Sequence, residues 1–419
     1  MTTVLRRLTG FTVLPLLSLV TPFLLMPVVA RVAGGAGWSS VVAGQAVGTF
    51  GATVVYWGWN VVGPVQAARA ETATARAALY AASLRTRLTL LLPVVPLVAL
   101  VSALVAQPGF RVVAASMAIA TALLGLSPAW FGIGVGQPML LLWYDTLPRV
   151  LAALVATPAI LLTRAIWTYP VILAVATVVG LAAFHRRYAS GSDWSPLPLS
   201  RSVAELREQG GTAGINLVAT AYASTPAPVA TAAFPVAQSS QFASADTVYR
   251  LGLFTVAAMG NAFQGWTLEP GAGDRRRRHL AAGWAHLGLG VVGALLFVGL
   301  GPWATGLLFG ADLAAPRDVC AAYAVSFLFI SAGTPLIRNL LIPDGRTRLV
   351  LVWTTVSAVV GVVVMIATAA AGWLAGVAWG MAASEVAMTV GLVVPALRVF
   401  QGRSGGSGAA VSPGVEQAP

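Results

Sequence analysis

The apolar residues of this chain come in runs too long for the interior of a soluble domain. A helix that crosses a bilayer needs about 20 mostly apolar residues, because the hydrocarbon core is roughly 30 Å thick and the helix rises 1.5 Å per residue. Such runs fall at 11–33, 39–62, 88–106, 110–131, 148–164 and 168–184, and again at 212–235, 239–266, 280–309, 317–341, 349–371 and 373–397. Hydrophobic residues make up 58% of the chain and charged residues only 9%, against about 25% charged in a soluble domain. A surface so poor in charge suits lipid. The expectation is an all-α integral membrane protein of about twelve transmembrane helices. The run at 212–235 is the least regular, broken by Pro226, Pro228 and Pro235. The first run is too long, and too soon followed by a second, to read as a cleaved signal peptide.

The net charge of +12 would suit a nucleic-acid binder, but the placement of the charge gives it another meaning. All 25 basic residues are arginine, and they alternate from loop to loop. With Arg6 and Arg7 inside, the same side holds Arg69, Arg76, Arg85, Arg87, Arg149, Arg186, Arg187, Arg201, Arg207, Arg275 to Arg278, Arg346, Arg348, Arg398 and Arg403. The other side holds Arg31, Arg111, Arg164 and Arg317, with Arg250 and Arg338 left inside spans. This bias predicts cytoplasmic N- and C-termini and an even helix count. It also explains the charge without a nucleic-acid partner. The run Arg275–Arg278 is either a stop signal at a cytoplasmic loop or a patch for lipid headgroups. The lack of lysine and the bias to Ala, Gly, Val and Arg point to a GC-rich bacterial genome, and so to the cell membrane.

The longest polar segment, 185–211, separates two sets of six spans. The expected organisation is an N-terminal six-helix bundle over 1–184, a cytoplasmic linker loop over 185–211, a C-terminal bundle over 212–400 and a disordered cytoplasmic tail over 401–419. A faint echo links the halves. Ser39-Ser40 and Ser239-Ser240 open spans two and eight, and Asn60 and Asn261 follow in each, ahead of a proline and a basic loop. Paired halves with a site between them are a common transporter plan.

No constellation for catalysis stands out. The single cysteine, Cys320, excludes an internal disulfide and argues against a cysteine metal site. His185, His279 and His286 lack ligand spacing, and Gly132-x-Gly134-x-Gly136 has neither the preceding strand nor the following GKS of a phosphate loop, so it reads as a helix end. No enzyme activity and no cofactor are expected. What remains is polarity inside spans, which is costly and so faces a cavity or a partner. Span eight is richest, with Asp246, Arg250, Asn261 and Gln264. Asp246 and Arg250 share a helix face, either as a self-neutralising pair or as a cation that meets an anion in a water-filled cavity. Glu385, mid-span twelve, either couples ion movement or packs on a polar neighbour. Arg338 and Arg31 sit near span ends, where snorkelling is the default. Trp57, Trp59, Trp130 and Trp266 either anchor at the interface or stack on sugars.

Several strings share a pattern. PLLSLVTPFLLMPVVARVAGGAGWSSVVAGQAVGTFG, VVYWGWNVVGPVQAARA, SPAWFGIGVGQ, LLWYDTLPRVLA and FASADTVYRLGLFTVAAMGNAFQGW resemble segments of the polysaccharide (O-antigen, lipid-linked oligosaccharide) flippases of the multidrug/oligosaccharidyl-lipid/polysaccharide exporter superfamily. The resemblance spans essentially 5–400. It implies a V-shaped pair of six-helix bundles with a MOP/MATE-like transporter fold that alternates between inward-open and outward-open states. It implies an isoprenoid-diphosphate-linked oligosaccharide as substrate, moved from the inner to the outer leaflet, with membrane lipids, a polysaccharide polymerase and glycosyltransferases as partners. Arg250, Asp246, Asn261, Gln264, Asn60, Arg31 and Arg338 are the candidate substrate contacts, and Glu385 is the candidate for ion coupling. The cavity holds fewer cations than the family's usual pattern. A cation-coupled multidrug exporter of the same superfamily, and a non-transporting scaffold of a glycan-synthesis complex, are the alternatives.

Overall fold

The computed structural model describes the backbone over residues 2–189, 199–267 and 274–405, and side chains from Leu25 onward apart from 199–205, 207–209, 211, 212, 265 and 403–405. The side chains of Arg6, Arg7, Arg201, Arg207 and Arg403, the centre of the expected linker and the tail over 406–419 lie outside the described residues.

Within the described residues the chain runs through twelve long helices, numbered here α1 to α12. The first two are continuous except at Gly34, whose φ of 66° and ψ of −179° fall in a region essentially closed to residues with a Cβ. Gly34 thus divides α1 (2–33) from α2, which runs over 35–56, breaks at Trp57 and Gly58, and resumes as Trp59–Arg69. Then follow α3 (Ala73–Val105), α4 (Arg111–Gly134, interrupted around Leu124–Leu126), α5 (Pro138–Thr163) and α6 (Thr168–Tyr188). The second set is α7 (Leu199–Ser224 and Pro226–Ala233), α8 (Val236–Thr267), α9 (Arg275–Phe309), α10 (Arg317–Leu341), α11 (Thr347–Ala370) and α12 (Leu374–Gly405).

Several helices outrun the apolar windows. α3 starts at Ala73, where the Thr72 side chain accepts the Ala75 N–H as an N-cap, so Arg85 and Arg87 lie well inside a helix and not in a loop. The segment expected as a linker loop is helical up to Tyr188 and again from Leu199, and α12 runs on to Gly405. The cause is common to all three. Hydropathy marks only the stretch that sits in lipid, whereas helical backbone continues for as long as its residues cap and pack. Among the described residues nine helices are long and apolar enough to cross a membrane, with Leu25–Arg69 of α1 and α2 counted as one, and α7 and α8 do not meet that measure.

Small residues set the closest contacts. A Cβ on Gly44 of α2 would run into the Ala114 carbonyl oxygen of α4, and one on Gly48 into that of Ala118. Packing of this kind drives helix association where lipid removes the hydrophobic incentive. Short connections make consecutive helices antiparallel, which gathers Arg69, Arg76, Arg186, Arg187, Arg275–Arg278, Arg346 and Arg348 at one end of the bundle, with Arg111 and Arg317 at the other.

The hydrophobic cores show how the two sets meet. One core contains Leu25, Val29, Trp38, Met117 and Ile160 of the first set together with Ala227, Ala243, Phe309 and Leu313 of the second, at the arginine-poor end. Toward the arginine-rich end the cores are separate: Trp59, Tyr80, Trp130 and Phe184 on one side, and Leu341, Val350, Leu392 and Val399 on the other. Among the described residues most side-chain hydrogen bonds between the two sets lie at the arginine-poor end, while Thr53 to Thr220 at 3.4 Å and Trp57 to Leu206 O at 2.8 Å cross nearer the arginine-rich end. Trp38 Nε1 donates to Ser244 Oγ at 3.1 Å, Gln107 Nε2 to Thr231 O at 2.7 Å and Arg31 Nη2 to Leu307 O at 2.8 Å, all near the arginine-poor end. The two six-helix bundles therefore form a V closed at that end.

Candidate functional site

The site grows from a break in α7. Pro226 and Pro228 have no N–H to give, so the helix stops at Ser224 and restarts at Pro226. Arg250 of α8 reaches this break: its Nη2 donates to Ala223 O at 2.7 Å, while its Nε donates to Asp246 Oδ2 at 2.6 Å. Tyr323 of α10 donates to the other carboxylate oxygen at 2.9 Å. Asp246 is 2% exposed and fully engaged, whereas the Arg250 side chain keeps 25% of its surface open. The paired arrangement that the spacing suggested is present, and it holds the α7 break as well as neutralising a charge.

A second cluster forms farther along α8. Asn261 and Gln264 both turn to Arg338 of α10, whose Nη2 donates to Asn261 Oδ1 at 2.7 Å and to Gln264 Oε1 at 2.9 Å. Arg338 lies in a π-helical stretch, Leu336–Leu341, a distortion often kept at functional positions. Its partners are neutral amides. Among the described residues no carboxylate pairs with it, so its charge stays available to an anion.

Glu385 of α12 accepts a 2.6 Å hydrogen bond from Tyr222 OH of α7. The two line a cavity of about 120 Å³ with Gly333, Thr334, Met388 and Thr389. Tyr249, stacked on Tyr323 with ring centroids 4.6 Å apart, lies within the electrostatic reach of both Asp246 and Glu385. Arg250 on Ala223 O and Tyr222 on Glu385 bring the Asp246 and Glu385 groups together beside the α7 break, and the Arg338 cluster lies farther along α8 in the same bundle.

Two candidate contacts do not join these groups. Arg31 sits at the arginine-poor end and binds the α9 backbone across the junction of the bundles, so it fastens the closed end of the V. Asn60 stands exposed just past the break in α2, in the first bundle. Trp59 and Trp130 are buried against each other, centroids 5.4 Å apart, and have no face left for a sugar. Trp57 donates to Leu206 O at 2.8 Å, and Trp266 remains 40% exposed.

The first bundle holds a polar network that the sequence reading overlooked. Arg87, 0% exposed, donates from Nη1 to Gly125 O at 3.2 Å and Ser127 O at 2.9 Å, carbonyls freed where α4 is interrupted. Ser127 Oγ donates to Asp145 Oδ1 at 2.5 Å, and Arg149 donates to the same oxygen at 2.7 Å. Asp145 and Arg149 repeat the four-residue spacing of Asp246 and Arg250, which was the available signal. Arg87 offered none, because its place at the edge of an apolar window looked like a loop.

Gly132 to Gly136 do end α4, with Gly136 at φ 69° in the turn. Among the described residues no three His, Cys, Asp or Glu side chains gather as they would around a metal.

No protein-family model matches the sequence, and no curated protein matches it. Solved structures do. An inward-facing multidrug-resistance MATE family transporter of the MOP superfamily superposes with a TM-score of 0.62 at 15% identity, covering 91% of this chain and 96% of its own. A MATE protein in complex with MaD3S gives 0.57 at 14% identity, covering 95% and 96%. The eukaryotic MATE transporter AtDTX14 gives 0.54 at 14%, covering 95% and 98%. The fold is that of the MOP/MATE transporters. At these identities the likeness concerns the fold alone. Within this MATE-like fold the clamp at Arg250 and the cluster at Arg338 both lie in the C-terminal bundle, and the closed end of the V carries Trp38, Gln107 and Arg31.

Proposed function

We propose that this chain is an alternating-access transporter of the cell membrane that moves an isoprenoid-diphosphate-linked oligosaccharide from the cytoplasmic to the outer leaflet for surface polysaccharide synthesis. In this reading the arginine-rich end and both termini are cytoplasmic, and the bundles over 1–184 and 212–400 rock about the junction at Trp38 and Ser244. A sugar diphosphate does not cross hydrocarbon, whereas its isoprenoid tail is at home there. The protein therefore has to supply a polar face beside lipid, a cation for the diphosphate, and amides or hydroxyls for sugars.

The observation that carries the reading is Arg338, held by the neutral oxygens of Asn261 and Gln264 with its charge uncompensated. A guanidinium fork matches phosphate oxygens in pairs. Arg250, partly open beside the α7 break, is the second phosphate contact, and Trp266 is the aromatic surface for a sugar. Glu385 is the coupling group, and a polysaccharide polymerase and glycosyltransferases act before and after the transfer.

The cavity at Glu385 and Tyr222 favours a second reading, a cation-coupled multidrug exporter, because a buried carboxylate with one hydroxyl donor suits a cationic guest. Binding to the purified protein separates the two. Farnesyl diphosphate, the probe for the lipid diphosphate, should bind the wild type and lose about tenfold in affinity with Arg338→Gln, as one charge-assisted hydrogen bond of about 1.5 kcal/mol implies. Binding of ethidium that is abolished by Glu385→Gln, with no binding of the diphosphate, would instead establish the exporter.

A further inference from the structure

The arginines at the start of α9 do more than mark a side of the membrane. Arg275, Arg276 and Arg277 are exposed, and among the described residues none of their guanidinium groups pairs with a carboxylate. Asp274, the acid beside them among the described residues, spends an oxygen on the Arg277 backbone N–H at 3.0 Å. Arg348 and Arg398 are exposed at the same end. Directly below this rim lies an apolar groove of about 260 Å³ between α9, α10 and α12. Its α9 wall is His279 at the rim and then Leu280, Gly283, Trp284 and Leu287, spaced as one helix face. Its far wall is Leu397 and Phe400, and the Arg276 guanidinium lies 5.9 Å above the Phe400 ring. Rim and groove are therefore continuous, with cations at the water boundary and a slot of leucines and aromatics leading into the membrane. Trp284, 69% exposed, stands along the slot.

We infer that this groove and its rim bind one anionic diacyl phospholipid of the leaflet at the arginine-rich end, with a chain in the slot and the phosphate on Arg275, Arg276 and Arg277. Charge complementarity selects the occupant: clustered arginines at the headgroup level attract anionic lipid, each contributing appreciably, while the slot is lined almost wholly by hydrocarbon. The site is distinct from the groups at Arg250 and Arg338, and the inference does not depend on what the protein transports. Bound there, the lipid would bridge α9, α10 and α12 of the C-terminal bundle.

Gly283 gives a clean probe. A Cβ built on it meets nothing within 4 Å, so Gly283→Leu fills the slot without strain. Native mass spectrometry of the full-length protein, delipidated and titrated with phosphatidylglycerol or with phosphatidylcholine of the same chains, reads single lipids bound. The expected result is one tight site with at least tenfold preference for phosphatidylglycerol. That preference should fall about tenfold both with Arg275→Gln, Arg276→Gln, Arg277→Gln together and with Gly283→Leu, and stay unchanged with Arg317→Gln at the other end. Equal binding of the two lipids would overturn the inference. So would loss of binding with the triple variant but not with Gly283→Leu, since the arginines would then act as a diffuse surface charge with no seated chain. Displacement of the lipid by millimolar inorganic phosphate alone would make this an anion site without a lipid.

Discussion

Arg250 is gripped from two directions, by the Asp246 carboxylate and by the Ala223 carbonyl next to the α7 break. A buried ion pair with no other task can be replaced by apolar residues at little cost. Here the guanidinium also fastens the α7 break and keeps an open edge, so the double replacement Arg250→Ala, Asp246→Ala should reach wild-type membrane abundance and yet fail to transport. Arg250→Lys should also be impaired, because a point charge cannot serve the carboxylate and the carbonyl with the geometry of a fork. Transport assays normalised to protein in the membrane decide this, and normal transport by the double variant would make the pair purely structural. At this scale the sequence was legible where chemistry repeats along one helix. Asp246 and Arg250 announced themselves by spacing. The partners of Arg338 did not, because hydrogen bonding between Arg338 on α10 and Asn261 and Gln264 on α8 depends on how two distant helices pack. Arg87 was misplaced for a related reason: its neutral partners are backbone carbonyls released by an interruption of α4 that no local pattern marks.

Helices and their breaks form the next level. Gly34 ends α1 in a conformation reserved for glycine, and a Cβ there would touch nothing. Gly34→Ala should therefore isolate backbone strain, lowering stability by about 1–3 kcal/mol, seen as a lower unfolding temperature in detergent. Gly283→Ala, in ordinary helix with the same empty surroundings, should cost nothing measurable. Equal melting of both variants would mean that α1 and α2 do not turn at Gly34. The helix number and order were readable because most spans carry a strong apolar run and the polar α7 and α8 are set off by prolines and basic loops. The ends were not. α3 and α7 start far ahead of their apolar windows because a capped or packed helix continues past the lipid boundary, where hydropathy is silent. The prolines of α7 did foretell its break, since a missing N–H acts locally whatever surrounds it.

Across the whole molecule, the gradient of contacts makes a V held at the arginine-poor end by Gln107 on Thr231, Trp38 on Ser244 and Arg31 on Leu307. Alternating access requires these to part. In a Cys320→Ser background, paired cysteines at Gln107 and Thr231 joined by a short reducible cross-linker should block transport, with activity restored by reduction; undiminished transport by the cross-linked protein would contradict rocking about this junction. Reporter fusions after Pro419 and within 190–198 should both report the cytoplasm, and either one on the outside would reverse the orientation drawn from the arginines. The central claim, transfer of a lipid-linked oligosaccharide, is tested most directly by quantifying surface glycan and membrane-bound glycan intermediates in a clean deletion strain, complemented with wild type or Arg338→Gln at equal abundance. The account predicts loss of the surface glycan with build-up of its lipid-linked precursor, reversed by the wild type and not by Arg338→Gln. An unchanged surface glycan together with new sensitivity to cationic drugs would contradict it.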